Sequence, residues 1–172
     1  LDKVYVPINY DSKFHGPVTV RTALANSYNI PAVKLVDAVS VERMLQGARS
    51  LGVRSLDKPT NWYGLSLTLG GGEVTLLDLT TGFHTLASAG RYLPARSIQA
   101  IDSGWGQSIL LPQSYPVQAI SAQTAFLITN ILSDNAARTP AFGPTSALRL
   151  SRPAAAKTGT TTDFKDNWTI GF

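Results

Sequence analysis

Apolar residues recur at intervals of three and four along five stretches of the chain, and this spacing predicts five α-helices. The expected helices are, in chain order, Val18 to Ala25, one that opens at Pro31, Ser40 to about Gly52, Glu73 to Ala89, and Ser121 to Leu132. Pro31 suits the first turn of a helix, and Gly90 suits the C-cap that closes the fourth. That fourth helix carries the most apolar residues and is expected to be central and buried.

The same spacing selects the residues expected to face the core. They are Val33, Leu35, Val36 and Val39 in the second helix; Met44, Leu45, Ala48 and Leu51 in the third; Val74, Leu76, Leu77, Leu79, Phe83, Leu86 and Ala87 in the fourth; and Ala125, Phe126, Ile128 and Leu132 in the fifth.

Turn-forming residues dominate the segments between the helices. Residues 1–17 are expected to be irregular and to lie over the core, and residues 133–153, with three prolines, to be a loop. Residues 53–72 end in Gly70-Gly71-Gly72, which predicts a turn before a helix, because no phosphate-loop spacing accompanies the glycines. Short apolar runs broken by Gly and Pro over residues 91–120 predict two short strands or a ribbon.

A β-hairpin is predicted at the end of the chain. Small residues lead into a strand over 154–160, residues 161–165 form a turn, and residues 167–172 alternate as a second strand. The first strand contains Lys157-Thr158-Gly159-Thr160, a run that arises by chance in roughly one chain of this length in two hundred. This run is therefore informative about function.

A Lys-Thr-Gly-Thr strand edge offers binding groups to a carboxylate. Lys157 supplies a cation, Thr158 and Thr160 supply hydroxyls, and Gly159 leaves the approach path open. The Thr160 N–H, if directed to the substrate, would be one donor of an oxyanion hole. The plainer interpretation of Lys157 is an exposed strand lysine.

Far upstream lies a Ser-x-Asn triplet, Ser27-Tyr28-Asn29, in the break between the first two helices. Such a triplet occurs by chance in about every second chain, so on its own it favours a loop that caps the helix opening at Pro31. The carboxylates of Glu73 and Asp78 suit the start of a helix, and Asp166 suits the hairpin turn.

Composition limits the classes of function. With 172 residues, 44% of them hydrophobic, the chain can bury one core and is expected to be one domain or most of one. Its net charge of +4 comes from 15 dispersed Lys and Arg residues, which argues against a nucleic-acid footprint and suits an anionic cell envelope. There is no Cys, only His15 and His84, and no G-x-S-x-G elbow, so thiol, zinc and Ser-His-Asp chemistry are disfavoured and no metal or cofactor is expected.

With these residues in view, the chain resembles the transpeptidase domain of bifunctional (class A) penicillin-binding proteins, nearest their C-type subgroup. The resemblance runs through Tyr5 to Asp11, Phe14 to Val33, Leu67 to Leu79, Ala89-Gly90-Arg91, Ala156 to Thr160, and Asp166-Asn167-Trp168. It implies an α+β fold of the penicillin-binding and serine β-lactamase kind, in which a helical cluster packs on part of an antiparallel sheet.

The resemblance also implies an activity and roles for the motif residues. Such enzymes acylate a serine with a D-Ala-D-Ala stem peptide and pass the acyl group to a neighbouring stem, and β-lactams trap the acyl-enzyme. Ser27 would then act in a proton relay and Asn29 would contact a substrate amide. Lys157, Thr158, Gly159 and Thr160 would bind the carboxylate and complete the oxyanion pocket.

One motif of that family is missing. The Ser-x-x-Lys that supplies the nucleophile lies before Ser-x-Asn in the family, and this chain has nothing there. Its own match, Ser55 to Lys58, follows Ser27 in a loop, whereas a nucleophile needs a rigid helix start, so Ser55 is interpreted as a chance match. The lack of an initiator Met, a membrane span and a signal peptide further predicts a piece of a longer polypeptide.

Residues 1–172 are therefore expected to be a partial transpeptidase domain, inactive alone, that needs the remainder of the same domain. The intact parent is expected to face the outside of the bacterial cytoplasmic membrane, anchored there, and to bind stem peptides and β-lactams. The alternatives are a penicillin-recognising sensor or binding module without turnover, and a serine β-lactamase or carboxypeptidase relative.

Overall fold

The computed structural model describes residues 5–161 and 165–172, which form six α-helices and six short β-strands. The helices are α1 (Val20–Ala25), α2 (Asn29–Val39), α3 (Val41–Ser50), α4 (Leu76–Ala87), α5 (Ala122–Leu132) and α6 (Asn135–Phe142). The strands are β1 (Arg91–Tyr92), β2 (Ile101–Asp102), β3 (Ser108–Ile109), β4 (Val117–Gln118), β5 (Ala156–Thr160) and β6 (Asn167–Gly171). Helices combined with antiparallel strands confirm the α+β class. Within the described residues, no helix has the length and apolar character to cross a membrane.

The main buried cluster lies beneath α3. Leu45 packs there with side chains of the segment between α3 and α4, namely Val53, Leu56, Tyr63 and Leu67. That segment, predicted to be a loop, contains two short 3₁₀ turns, Thr60–Trp62 and Leu65–Leu69. Gly72 lies near the end of this segment, where a larger residue would not fit. A Cβ at this position would lie 2.7 Å from the Leu67 side chain. The glycine run is thus a tightly packed turn before a helix, as predicted.

Helix α4 begins at Leu76, three residues later than predicted, because the Thr75 side chain caps it by accepting from the Asp78 N–H at 3.1 Å. It is not buried all round: Gly82 and Thr85 are buried, whereas Leu76 is 66% exposed. The prediction that the following residues face the core is also wrong: Leu35, Val39, Leu77 and Phe126. Helical spacing identifies an apolar face, but it does not say how much of that face other elements cover.

Helix α6 corrects the prediction of a loop over residues 133–153. Asp134 accepts a hydrogen bond from the Ala137 N–H at 2.8 Å and so caps the helix. Pro140 lies inside the helix, near its end. Prolines in a sequence favour a loop, but here the Asp134 N-cap stabilises a short helix in spite of Pro140.

The strands form three two-stranded antiparallel pairs. Strands β1 with β4, and β2 with β3, form the ribbon predicted over residues 91–120. Strands β5 and β6 form the predicted hairpin, with Lys157 opposite Ile170. Phe172 meets Phe83 of α4 edge-on, with ring centroids 6.5 Å apart. The predicted turn over residues 161–165 lies partly outside the described residues.

Candidate active site

The Ser-x-Asn triplet lies in the tight turn between α1 and α2. Ser27 is the residue just beyond the C-cap of α1 and has a left-handed φ of +58°, where glycine is usual. Its N–H donates to Leu24 O at 3.2 Å, and the Tyr28 N–H donates to Ala23 O at 3.0 Å. These two bonds are those of a Schellman motif, in which a residue of left-handed conformation ends a right-handed helix. They present the serine side chain at the start of α2.

Lys157 of β5 meets this serine from the other end of the sequence. Its ammonium Nζ donates to the Ser27 Oγ at 2.7 Å and to the carbonyl oxygen of Thr158 at 2.6 Å. The fold thus joins the two predicted motifs across 130 residues. Lys157 is not the freely exposed strand lysine of the plainer interpretation, since its side chain is largely enclosed.

The register of the hairpin decides which backbone groups of β5 face outward. Ala155 and Phe172 exchange both backbone hydrogen bonds, at 2.9 and 3.0 Å. Because bonded and non-bonded pairs alternate along an antiparallel ladder, Thr158 and Thr160 fall at non-bonded positions. Their N–H and C=O groups therefore point away from β6, toward the edge where the Lys157 ammonium contacts the Thr158 carbonyl.

Burial changes the acidity of the lysine. Desolvation, with a smaller contribution from the positive charge of Arg138, lowers the pKa of Lys157 to about 8. The ammonium still predominates at neutral pH and attracts an anion, yet it gives up a proton far more readily than an exposed lysine. A hydroxyl held at 2.7 Å from such a group can exchange a proton with it.

Arg138 is a member of this site that the sequence did not reveal. Its side chain is only 2% exposed, its Nη2 donates to the Leu132 carbonyl, and its Nη1 has no hydrogen-bond partner among the described residues. Burial lowers the pKa of Arg138, while the charge of Asp134 opposes that shift. The segment was predicted to be a loop, so no helix face drew attention to this arginine; the Asp134 cap was the available signal.

Asn29 is the first residue of α2, not a loop residue, so the helix begins two residues before Pro31. Neither Asn29 nor Ser27 caps it. The cap comes from Asn9, whose Oδ1 accepts from the Ile30 N–H at 3.1 Å. The amide of Asn29 donates to the Ile8 carbonyl at 2.8 Å, so its direct contact is with the N-terminal segment rather than with Lys157.

Within the described part of the N-terminal segment, His15 also contacts the turn. The prediction that residues 1–17 lie over the core reaches beyond the described residues and stays a prediction. The ring of Tyr28, the middle residue of the triplet, stacks on His15 with centroids 4.0 Å apart and planes 7° from parallel. Together with the Asn9 and Asn29 bonds, this stacking fixes the start of α2.

The Ser-x-x-Lys match of this chain, Ser55 to Lys58, has structural contacts. Ser55 Oγ accepts from the Thr75 N–H at 3.1 Å, and Lys58 Nζ lies 3.9 Å from Asp57 instead. Asp78 accepts from the Ser55 N–H, and backbone hydrogen bonds of this kind lower the pKa of its carboxyl. Ser55 thus joins the loop to the start of α4, and its interpretation as a chance match stays a prediction.

Asp166 is likewise held locally. Its N–H donates to the hydroxyl Oγ1 of Thr161 at 2.9 Å, which closes the described part of the hairpin turn. Among residues 5–161 and 165–172, no group of three His, Asp or Glu side chains forms a metal-binding cluster.

A Ser-x-Asn turn that meets a Lys-Thr-Gly-Thr strand, with helices packed on an antiparallel hairpin, defines the class of penicillin-interacting α+β folds. A family model for the penicillin binding protein transpeptidase domain matches residues 2–172, and the chain belongs to this family. The resemblance noted in the sequence is thereby confirmed.

Relatives in other bacteria agree. The chain is 36% identical over 173 residues to penicillin-binding protein 1A of Aquifex aeolicus, covering 98% of this chain and 22% of that protein. It is 31% identical over 169 residues to penicillin-binding protein 1C of Escherichia coli, covering 97% and 20%. The chain therefore spans about a fifth of the length of these relatives, and its assignment to the C-type subgroup stays a prediction.

Solved structures show the same fold. The Mycobacterium tuberculosis penicillin-binding protein PonA1 superposes with a TM-score of 0.79 at 22% identity, covering 96% of this chain and 47% of that one. Penicillin-binding protein 1A of Haemophilus influenzae gives 0.77 at 21% identity, covering 96% and 30%. PonA1 has also been solved in complex with penicillin V.

Proposed function

We propose that this chain is part of the transpeptidase domain of a class A penicillin-binding protein that cross-links peptidoglycan stem peptides through a serine acyl-enzyme. The observation that carries the proposal is the 2.7 Å contact between the Lys157 ammonium and the Ser27 hydroxyl. A lysine with a pKa of about 8 beside a serine is equipped to move the proton that the nucleophile loses and the leaving amine gains.

The other motif residues have complementary roles in this proposal. Lys157 binds the terminal carboxylate of the substrate or of a β-lactam, with the hydroxyls of Thr158 and Thr160 beside it. The Thr160 N–H, directed away from β6, donates to the oxyanion. Gly159, which is exposed, keeps the approach free of a side chain. Asn29 contacts a substrate amide through its carboxamide oxygen.

The nucleophile is supplied by a Ser-x-x-Lys outside these 172 residues, so the chain alone is inactive and needs the remainder of its domain. The large apolar side chains exposed on α4 and α5, including Leu76, Leu77 and Phe126, support a partial domain. The intact protein is anchored in the cytoplasmic membrane and faces the peptidoglycan, and no cofactor enters the chemistry.

A labelled penicillin tests the proposal. The complete domain is incubated with the label, digested, and the modified peptide identified by mass spectrometry. We expect one adduct, on the serine of a Ser-x-x-Lys that precedes Leu1, and none on the 172-residue chain alone. The control Ser55→Ala should label normally, because Ser55 only joins two segments of the loop.

Three outcomes would contradict this assignment. An adduct on Ser55 would show that the chance match is the nucleophile. No adduct on the complete domain would favour a sensor or binding module instead, and rapid hydrolysis of the adduct would favour a serine β-lactamase.

A further inference from the structure

The conformation of Ser27 needs support beyond its own turn. A left-handed φ in a residue other than glycine costs on the order of 1–2 kcal/mol. The two backbone bonds of the helix end close the turn, but both lie within α1 and its cap. They do not fix where the hydroxyl lies relative to β5, which is 130 residues away in the sequence.

Asn26, the residue directly before Ser27, supplies a tertiary contact. Its side chain is 4% exposed and makes three hydrogen bonds. Nδ2 donates to the Thr22 carbonyl at 2.9 Å and to the Ala137 carbonyl at 2.8 Å, and Oδ1 accepts from the Ala141 N–H at 2.9 Å. Both amide hydrogens are thus used, and two of the three bonds cross to α6.

The positions of those two partners matter. Ala137 C=O and Ala141 N–H stand in the i and i+4 relation of one turn of α6, so the carboxamide of Asn26 lies across that turn with both ends bonded. A carboxamide held at both ends has one orientation, and it fixes the backbone of Asn26, which continues directly into Ser27.

A second contact fixes the other end of α1. Arg21 donates through Nη1 to Asp134 at 2.9 Å and through Nη2 to Asn130 at 2.6 Å. Asp134 is the N-cap of α6, so α1 is held to α6 and its cap at both of its ends, by Arg21 and by Asn26. The six-residue α1 therefore behaves as part of the α6 unit.

Helix α6 also reaches the lysine side of the site. Between the two backbone groups that Asn26 contacts lies the buried Arg138, whose charge acts on Lys157. Helix α6, to which the Asn26 side chain is hydrogen-bonded, thus also places a positive charge near the Lys157 ammonium that contacts Ser27.

We propose that Asn26 is a positioning residue of the acyl-transfer site: its carboxamide, bonded across the Ala137–Ala141 turn of α6, holds the Ser27 hydroxyl against the Lys157 ammonium. The inference rests on the proposed function above. A displacement of about 1 Å at such a contact costs on the order of a hundredfold in rate, so removing the support should be visible in acylation.

The test uses Asn26→Ala and Asn26→Leu in the complete domain. Both variants are neutral, so they add no charge near Lys157, and the leucine refills the volume where the alanine leaves a cavity. Thr85→Val is the matched control, because Thr85 is fully buried in α4 and donates to the Leu51 carbonyl at 3.0 Å, away from the serine turn. The second-order rate of acylation by a fluorescent penicillin is measured from pH 6 to 10, together with the Tm.

We expect acylation by both Asn26 variants to fall by about ten- to a hundredfold. The alkaline limb of the pH profile should also move upward, because an ammonium no longer pressed against Ser27 is better hydrated and its pKa rises toward that of an exposed lysine. The control should lose Tm, change acylation by less than twofold and keep its alkaline limb.

Two results would overturn the inference: acylation within twofold of wild type in both variants, or a loss that only follows the Tm and leaves the alkaline limb in place. Failure of the proposed function looks different, because the wild-type domain and the Thr85→Val control would then also fail to form an adduct.

Discussion

The ammonium of Lys157 exchanges water for a serine hydroxyl and one carbonyl oxygen. These two hydrogen bonds do not fully replace the lost hydration, since desolvation and the nearby Arg138 lower the pKa of Lys157 to about 8. A depressed lysine pKa means that the folded state binds the proton less tightly than the unfolded state does. The charged lysine therefore costs stability at neutral pH, as charged groups at functional sites often do.

Replacing this charge should stabilise the protein while it removes activity. For Lys157→Met in the complete domain we expect a Tm a few degrees above wild type at pH 7, because the desolvated ammonium is gone. The difference should shrink at pH 9.5. Between the folded pKa of about 8 and the unfolded value of 10.5, only the unfolded wild type holds the proton, so wild-type stability rises with pH. A lower Tm for the variant at pH 7, independent of pH, would contradict this account.

Among the elements, α6 does most to organise the site, through its cap, its bonds to Asn26 and its buried Arg138. The Asp134 carboxylate accepts from the Ala137 N–H and from Arg21, and these bonds lower its pKa. A lowered carboxyl pKa contributes stability at neutral pH that is lost as the pH falls through the folded value.

Asp134→Ala should therefore destabilise the complete domain by about 1–2 kcal/mol at pH 7, the usual cost of losing a helix N-cap. The loss is measured by urea unfolding, and it should diminish in acid, where the wild-type carboxyl also becomes protonated. Asp37→Ala, which removes an exposed carboxylate of α2, is the control and should change stability little. Equal effects from the two substitutions would show that the cap does not hold α6.

Sequence patterns predicted the elements that have long, regular spacing. Helices α3, α4 and α5 and the β5–β6 hairpin occur close to their expected positions. Helix α6 was not predicted because the prolines of its segment favour a loop. The exposed Leu76 and Phe126 show that the spacing of an apolar face does not indicate whether other elements cover it.

For the site, two motifs led to Ser27 and Lys157. Asn26 and Arg138 could not be found in that way, because their importance comes from tertiary contacts, such as the bond from Asn26 to Ala137 across 111 residues. A single buried polar side chain in a sequence has no spacing that distinguishes it from a surface one.

At the scale of the whole molecule, the described helices and hairpin build one side of the proposed acyl-transfer site. The serine turn after α1 and the lysine strand β5 come from opposite ends of the chain and meet at the edge of β5 that faces away from β6. A substrate carboxylate that approaches this edge meets a partly desolvated cation, where a charge-assisted hydrogen bond is stronger than in water.

The most direct measurement of this account is the rate at which a labelled penicillin acylates the complete domain when Lys157 is replaced. Lys157→Ala should lower the second-order rate by about two to three powers of ten, because it removes both the carboxylate contact and the partner of Ser27. Lys34→Ala, at an exposed position of α2, should react as wild type does. A change of less than threefold for Lys157→Ala would contradict the role assigned to the lysine.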